Sequence, residues 1–392
     1  MQPTPFTLDV PQAQLDDLHA RLDATRWPDD LDNADWRYGV EAGWLREMVQ
    51  YWRAEYDWRA TERRINALPN YRVEIDGNPL HFVHLRGKGP APTPLLLIHG
   101  WPWTFMDFEA VIGPLTDPAS HGGDPVDAFD LVIPSLPGHG LSMPLAHSGL
   151  DVPAHAALFS KLMTKVLGYT GFGVAGGDWG AAISHLIAHH FPQQVTGLLA
   201  SIPYYPGLDL NTLAAQDYAA DEQWMLERSS TITPQVISHF VVQSNEPQTL
   251  AYALADSPVG TAAWLWARRR AWSDCDGDVL AAFDRDFLCT QASLYWLNGS
   301  IATSLRTYCE HARAGGLPFR PLHQRTPVID TPCGYLVAPR EVMLIPRAPV
   351  ARNTNLQRWT CLPRGGHFSF AEAPELWTQE LRDFFRPLRS AS

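Results

Sequence analysis

Short apolar runs that alternate with amphipathic helical stretches constrain this chain more than any other feature. That alternation fits a parallel sheet covered by helices on both faces. Residues 95–98, 130–134 and 172–175 read as buried strands, with helical patterns between them around 108–115 and 154–167. Residues 334–338 and 357–361 are expected to return to the sheet, and 374–386 to form its last helix. With 392 residues, 45% apolar content and 15 Trp, the chain can bury a large core and line a pocket with aromatic rings. The expected architecture is α/β, a mostly parallel, doubly wound sheet.

The run over 172–175 leads into Gly176, Gly177, Asp178, Trp179 and Gly180, and then into helix-forming sequence. This reads as strand, sharp turn and helix with the acid at the tip. Glycines are needed there because the central residue is strained and the helix packs closely behind it. Such an acid is either a helix N-cap or a nucleophile. A carboxylate that attacks an sp3 carbon forms an ester, which water can cleave, whereas serine would form an ether. Asp178 as nucleophile therefore points to epoxide opening or halide displacement, and away from peptidase or lipase chemistry.

The loop after 95–98 carries His99, Gly100, Trp101, Pro102 and Trp103. It is either an ordinary strand-to-loop turn or half of an oxyanion hole. In the second reading the amides of Trp101 and Trp179 supply the two donors, and Pro102 and Trp103 lie at the pocket. Glu341 follows the strand over 334–338, and His367 stands in the Gly365, Gly366, His367, Phe368 loop after the last strand. Nucleophile, acid and histidine thus come in the chain order of a hydrolase triad. His367 is expected to activate water and Glu341 to hold its tautomer. Asp330 rivals Glu341 but precedes its strand, at the wrong end for the site.

The net charge of −12 disfavours nucleic acid and anionic membrane surfaces as partners. Five scattered cysteines suggest no disulfide framework, and the start has no signal-peptide pattern, so a soluble cytoplasmic protein is expected. Neither H-E-x-x-H nor clustered Cys and His spacing occurs, so no metal and no cofactor is expected. Near the start, helices are expected over 10–26 and 40–56, and a β-hairpin over 71–84 around an Asp-Gly turn. Its tryptophans read as packing residues. The expected division is an amino-terminal arm over 1–90 packing on the core, core halves over 91–202 and 322–392, and a helical lid over 203–321.

Together these motifs resemble the microsomal-type epoxide hydrolases over nearly the whole chain. They include Arg26 to Asp29, His99 to Pro102, Pro137 to Ser142, Gly176 to Gly180, Asp256 to Gly260 and Gly365 to Phe368. Juvenile-hormone epoxide hydrolases and bacterial enzymes acting on natural-product epoxides, enediyne precursors among them, share this layout. The resemblance implies an α/β-hydrolase fold, Asp178 as nucleophile, His367 as base and Glu341 as its partner. It also implies two lid tyrosines that protonate the opening epoxide. Tyr308 matches the second, while His239 stands near the place of the first, either as a hydrogen-bond donor there or as a solvated or structural histidine. The expected reactants are water and a bulky apolar or aryl epoxide, giving a vicinal diol. The family includes dimers, which makes self-association an expectation, and its membrane-bound members carry an anchor not found in this sequence. The competing readings are a haloalkane dehalogenase and an inactive hydrolase scaffold used for binding.

Overall fold

The computed structural model describes residues 2–391, apart from the side chains of 233–235 and 390–391. Strand β1 (Thr4–Pro5) is followed by helices α1 (Gln12–Asp23), α2 (Ala42–Ala54) and α3 (Trp58–Asn66), and then by the hairpin of β2 (Asn70–Ile75) and β3 (Asn78–Leu85). Next come β4 (Thr93–Ile98), α4 (Glu109–Thr116), β5 (Phe129–Pro134), α5 (Val152–Lys161), β6 (Phe172–Gly176), α6 (Trp179–His190) and β7 (Val195–Ala200). A helical insertion holds α7 (Gln223–Asn245), α8 (Pro247–Asp256), α9 (Pro258–Trp272), α10 (Arg285–Leu297) and α11 (Ser300–Arg313). The chain then returns through β8 (Ile329–Val337), α12 (Arg347–Asn353), β9 (Thr354–Cys361), α13 (Ser369–Glu372) and α14 (Pro374–Phe385).

The sheet has the order β1-β2-β3-β5-β4-β6-β7-β8-β9. Its first four strands pair antiparallel, and from β5 onward every pairing is parallel. Every residue of β5 and β6 is buried, as expected for strands covered on both faces. The fold is that of the α/β hydrolases. Among the described residues no helix is long and apolar enough to cross a membrane.

Two features differ from the sequence expectations. Helix α3 is unexpected because its charges hide the buried stripe of Trp58, Glu62 and Ile65, while Asp57 caps it by accepting from the Ala60 amide. Strand β8 begins at Ile329, so Asp330 lies inside the strand rather than before it, exposed and paired with Arg325 at 3.1 Å. That remains the end away from the loops carrying Glu341.

The helices of the amino-terminal arm pack on α9 and α10, while its hairpin extends the sheet. Trp52 is buried and its indole N–H donates to Ser293 Oγ at 3.0 Å. Tyr51 donates to Asp286 at 2.7 Å, and Arg21 reaches the carbonyl and carboxylate of Asp256 at 2.7 and 2.8 Å. The arm therefore grips the helical insertion rather than only the sheet.

Candidate active site

Asp178 connects β6 to α6 with φ 52° and ψ −130°. A non-glycine residue adopts such a conformation at a cost of about 1–3 kcal/mol, so the surroundings must enforce it. A Cβ on Gly180 would stand 1.9 Å from the Ile98 carbonyl oxygen, so α6 sits directly against β4. The Asp178 side chain caps nothing in α6. Its Oδ1 accepts the Trp101 amide at 2.7 Å, and the Trp179 amide also favours the charged form. Gly100 makes room for it, since a Cβ there would lie 2.2 Å from Oδ1. Burial opposes the charge, but His367 and the two amides prevail and hold the carboxyl below its ordinary pKa.

His367 and Glu341 meet in front of Asp178. The imidazole Nδ1 lies 2.6 Å from Glu341 Oε1, which also accepts the Val342 amide at 2.7 Å. The other ring nitrogen, Nε2, stands 3.3 Å from Asp178 Oδ2, outside hydrogen-bond geometry. Burial disfavours charge on this imidazole, but the carboxylates of Glu341 and Asp178 outweigh it and raise the pKa to about 10. The loops that carry the pair are tied together, as the Arg340 amide donates to the Gly365 carbonyl at 3.0 Å. From α7, Arg228 donates to the carbonyls of Arg340 and Glu341.

The insertion supplies the opposite wall. The buried Tyr308 ring packs edge-on against Trp179 at 4.9 Å and Trp101 at 5.9 Å. Burial and the Asp178 carboxylate hold its phenol well above its ordinary pKa, so it stays protonated. His239 stacks on Trp101 at 5.3 Å and lies 5.5 Å from the Tyr308 ring. Its Nδ1–H donates to the Val236 carbonyl at 2.6 Å, and burial lowers its pKa to about 4. With Nδ1 donating, the neutral ring leaves Nε2 unprotonated, an acceptor rather than a donor. In this tautomer the ring offers an acceptor rather than the donor considered for the place of the first lid tyrosine. Trp103 packs beneath the imidazole of His367, ring to ring at 5.6 Å.

Several groups at the site escaped the sequence reading. Tyr204, just past β7, brings a second phenol close enough for the carboxylates of Asp178 and Glu341 to act on it. Its place at the carboxyl end of a parallel strand was the available signal. Arg269 is fully buried against Asp107 at 2.7 Å, donates to the Pro102 carbonyl at 3.3 Å and lies 3.8 Å over the Phe368 ring. It thereby joins the loop of Trp101 to the loop of His367.

Glu372 is the third such group. Its carboxylate accepts the amides of Gly366 at 3.0 Å, Phe368 at 2.9 Å and Asp274 at 2.7 Å, and burial raises its pKa to about 7. The His367 amide itself donates to the Trp272 carbonyl at 2.8 Å. A Glu372→Ala variant leaves three amides without their acceptor, at about 1–3 kcal/mol for each that stays buried. On a covalent route through an Asp178 ester with His367 as base, the expected result is a loss confined to ester hydrolysis, which slows at least ~10-fold, with adduct formation retained. Stopped-flow tryptophan fluorescence separates the two phases, and equal losses in both would remove Glu372 from the support of the base.

Among the described residues no group of three or more His, Cys, Asp or Glu side chains is placed to hold a metal ion. The arrangement holds a carboxylate with one oxygen on backbone amides and the other facing an imidazole, opposite a protonated phenol.

Comparison with known proteins agrees over the whole length. Residues 3–108 match the family model for the epoxide hydrolase N terminus, and residues 93–228 that for the alpha/beta hydrolase fold. A Stigmatella aurantiaca protein, provisionally described as an epoxide hydrolase, is 39% identical over 99% of this chain and 86% of its own length. Epoxide hydrolase 1 of Oryctolagus cuniculus is 31% identical over 97% of this chain and 88% of its own. The structure of Aspergillus niger epoxide hydrolase matches with a TM-score of 0.85 at 26% identity, covering 99% of this chain and 97% of that one. Juvenile hormone epoxide hydrolase from Bombyx mori matches with a TM-score of 0.87 at 25% identity, over 99% and 95%. With its fold, its amino-terminal arm and its near full-length relatives agreeing, the chain belongs to the epoxide hydrolases of the α/β-hydrolase fold.

Proposed function

We propose that this epoxide hydrolase converts a bulky aryl epoxide to a vicinal diol through a covalent ester on Asp178. Oδ2 attacks a ring carbon, the carbon–oxygen bond breaks, and the opened oxygen takes the proton of Tyr308, whose phenolate is reprotonated through solvent by the imidazolium of His367. Water then attacks Cγ of the ester and gives its proton to Nε2 of His367, while Glu341 holds Nδ1. The charge that develops on Oδ1 falls on the amides of Trp101 and Trp179, where one donor is worth roughly 3–4 kcal/mol in a transition state. Collapse breaks the bond from Cγ to the diol oxygen, which takes the remaining proton of the attacking water, and restores the Asp178 carboxylate beside the imidazolium.

The observation that carries this reading is the division of labour between the two oxygens of Asp178. Oδ1 is held by the Trp101 amide at 2.7 Å, and Oδ2 stands 3.3 Å from His367. The protonated phenol of Tyr308 favours an epoxide over a halide, because a departing alkoxide needs a proton and a halide does not. The neutral His239 lines the site without supplying that proton. Aromatic walls formed by Trp101, Trp179 and Tyr308 support an aryl substrate.

Tyr308→Phe is the test. With styrene oxide, the rate of ester formation is expected to fall at least ~10-fold, as for loss of a general acid, with little change in ester hydrolysis. His239→Phe is expected to have the smaller effect. Wild-type ester formation in the Tyr308 variant would remove that residue from the mechanism.

A further inference from the structure

Helix α9 carries Trp264, Arg268 and Trp272 one turn apart, on one face. At the site end, the Trp272 ring lies 5.2 Å from His367 and 4.7 Å from His239. Two turns earlier, the Trp264 indole N–H donates to Gln243 Oε1 at 3.2 Å, and Gln243 follows His239 by one turn of α7. The two helices thus face each other through His239 with Trp272 and through Gln243 with Trp264. Arg268 stands between those contacts, about 6 Å along the helix from Trp272.

Its guanidinium lies 3.5 Å over the Trp264 ring, and Nη1 donates to the Trp264 carbonyl at 3.2 Å. Among the described residues neither Nε nor Nη2 has a partner, and no carboxylate pairs with the side chain. Burial lowers its pKa to about 10, with the Tyr308 phenol acting in the other direction. A half-buried, unpaired cation costs free energy that a bound anion would recover. The edge left open is the one this protein uses elsewhere to hold carboxylates. Arg37, Arg358 and Arg386 each present Nε and Nη2 together to Asp35, Glu380 and Asp127. Here the aromatic face and the carbonyl fix the plane of the fork in advance.

We propose that Arg268 is a carboxylate-recognition residue in the wall of the active site, and that the substrate is an aryl epoxide bearing an acid group on the side remote from the oxirane. This rests on the epoxide hydrolase reading and names its substrate class. The chain as a whole is acidic, with a net charge of −12, so an anionic substrate gains nothing from the long-range field and depends on local pairing. A cation that only helped Tyr308 release its proton would act alike on every epoxide. Two open donors side by side are instead suited to a bidentate ligand.

The test compares the inert probe 4-ethylbenzoate with its methyl ester by calorimetry. Wild type is expected to bind the carboxylate at least ~10-fold more tightly, as for a charge-assisted pair. Arg268→Met should abolish the preference and Arg268→Lys restore part of it. Equal binding of the two probes by wild type, or a preference that survives in Arg268→Met, overturns the proposal whether or not the protein turns over any epoxide. In turnover, 4-(oxiran-2-yl)benzoate should lose at least ~10-fold more kcat/KM than its methyl ester in Arg268→Met. An equal loss on both would assign Arg268 to Tyr308 instead. Failure of wild type to form diol from either epoxide would count against the epoxide hydrolase mechanism, and the probe titration would still decide the role of Arg268.

Discussion

A His367→Gln variant incubated with styrene oxide is expected to gain the mass of one whole epoxide on Asp178, while kcat falls by about 10⁴. In the proposed mechanism the imidazole takes no part in bond formation between Oδ2 and carbon, so the first half of the reaction should survive. Hydrolysis does not, because the water that attacks Cγ loses the group that takes its proton. The ester then persists long enough for intact-mass and peptide mapping. Losing the imidazole also leaves Glu341 buried without its 2.6 Å partner, at about 3–5 kcal/mol for a broken buried pair, so a thermal melt belongs beside the mass spectrum. A folded variant that neither turns over nor carries an adduct would refute the covalent mechanism.

Asp178→Ala should abolish both adduct and turnover, and it should also change the charge of His367. Between two carboxylates the imidazole is pushed up to about 10 and is cationic at neutral pH. Without Asp178 one of the two is gone, and the pKa falls. A raised pKa favours the fold below the ordinary histidine range, and that contribution is lost as pH rises through about 10. In the variant the loss comes at lower pH. NMR titration of the ring reads the shift directly, and an unchanged His367 pKa would show that Asp178 does not hold its charge. Formation of the ester neutralises Asp178 as the substitution does. In the proposed mechanism the base is thereby freed only after the nucleophile has reacted, which would order the two half-reactions.

The parts of the site that could be read from sequence are those anchored to strand ends. Asp178, Glu341 and His367 each follow an apolar run, and the glycines around the first and last have steric reasons now visible in the contacts of Gly100, Gly180 and Gly366. Tyr308 came from family resemblance, since one phenol on a helix with many aromatic neighbours has no signature of its own. The tautomer of His239 was out of reach, because it depends on where the Val236 carbonyl points. Glu372, Arg269 and Asp107 were illegible for a different reason. A charged residue in a helical pattern reads as solvated surface, and only the folded chain shows these three turned inward toward backbone amides, a ring and each other.

The grip of the arm on the insertion has a consequence for how the chain comes to be folded at all. Trp52 finds its partner Ser293 across 241 positions, and Arg21 meets Asp256 across 235. On a ribosome, the arm emerges with its apolar faces ready and nothing yet made to cover them. Sheet strands from β4 to β7 can begin to assemble first, but the arm must wait for α9 and α10. The helices of the arm, made before the insertion that covers them, are thus among the last to be buried, and their tryptophans are the surface that a chaperone would meet in the meantime.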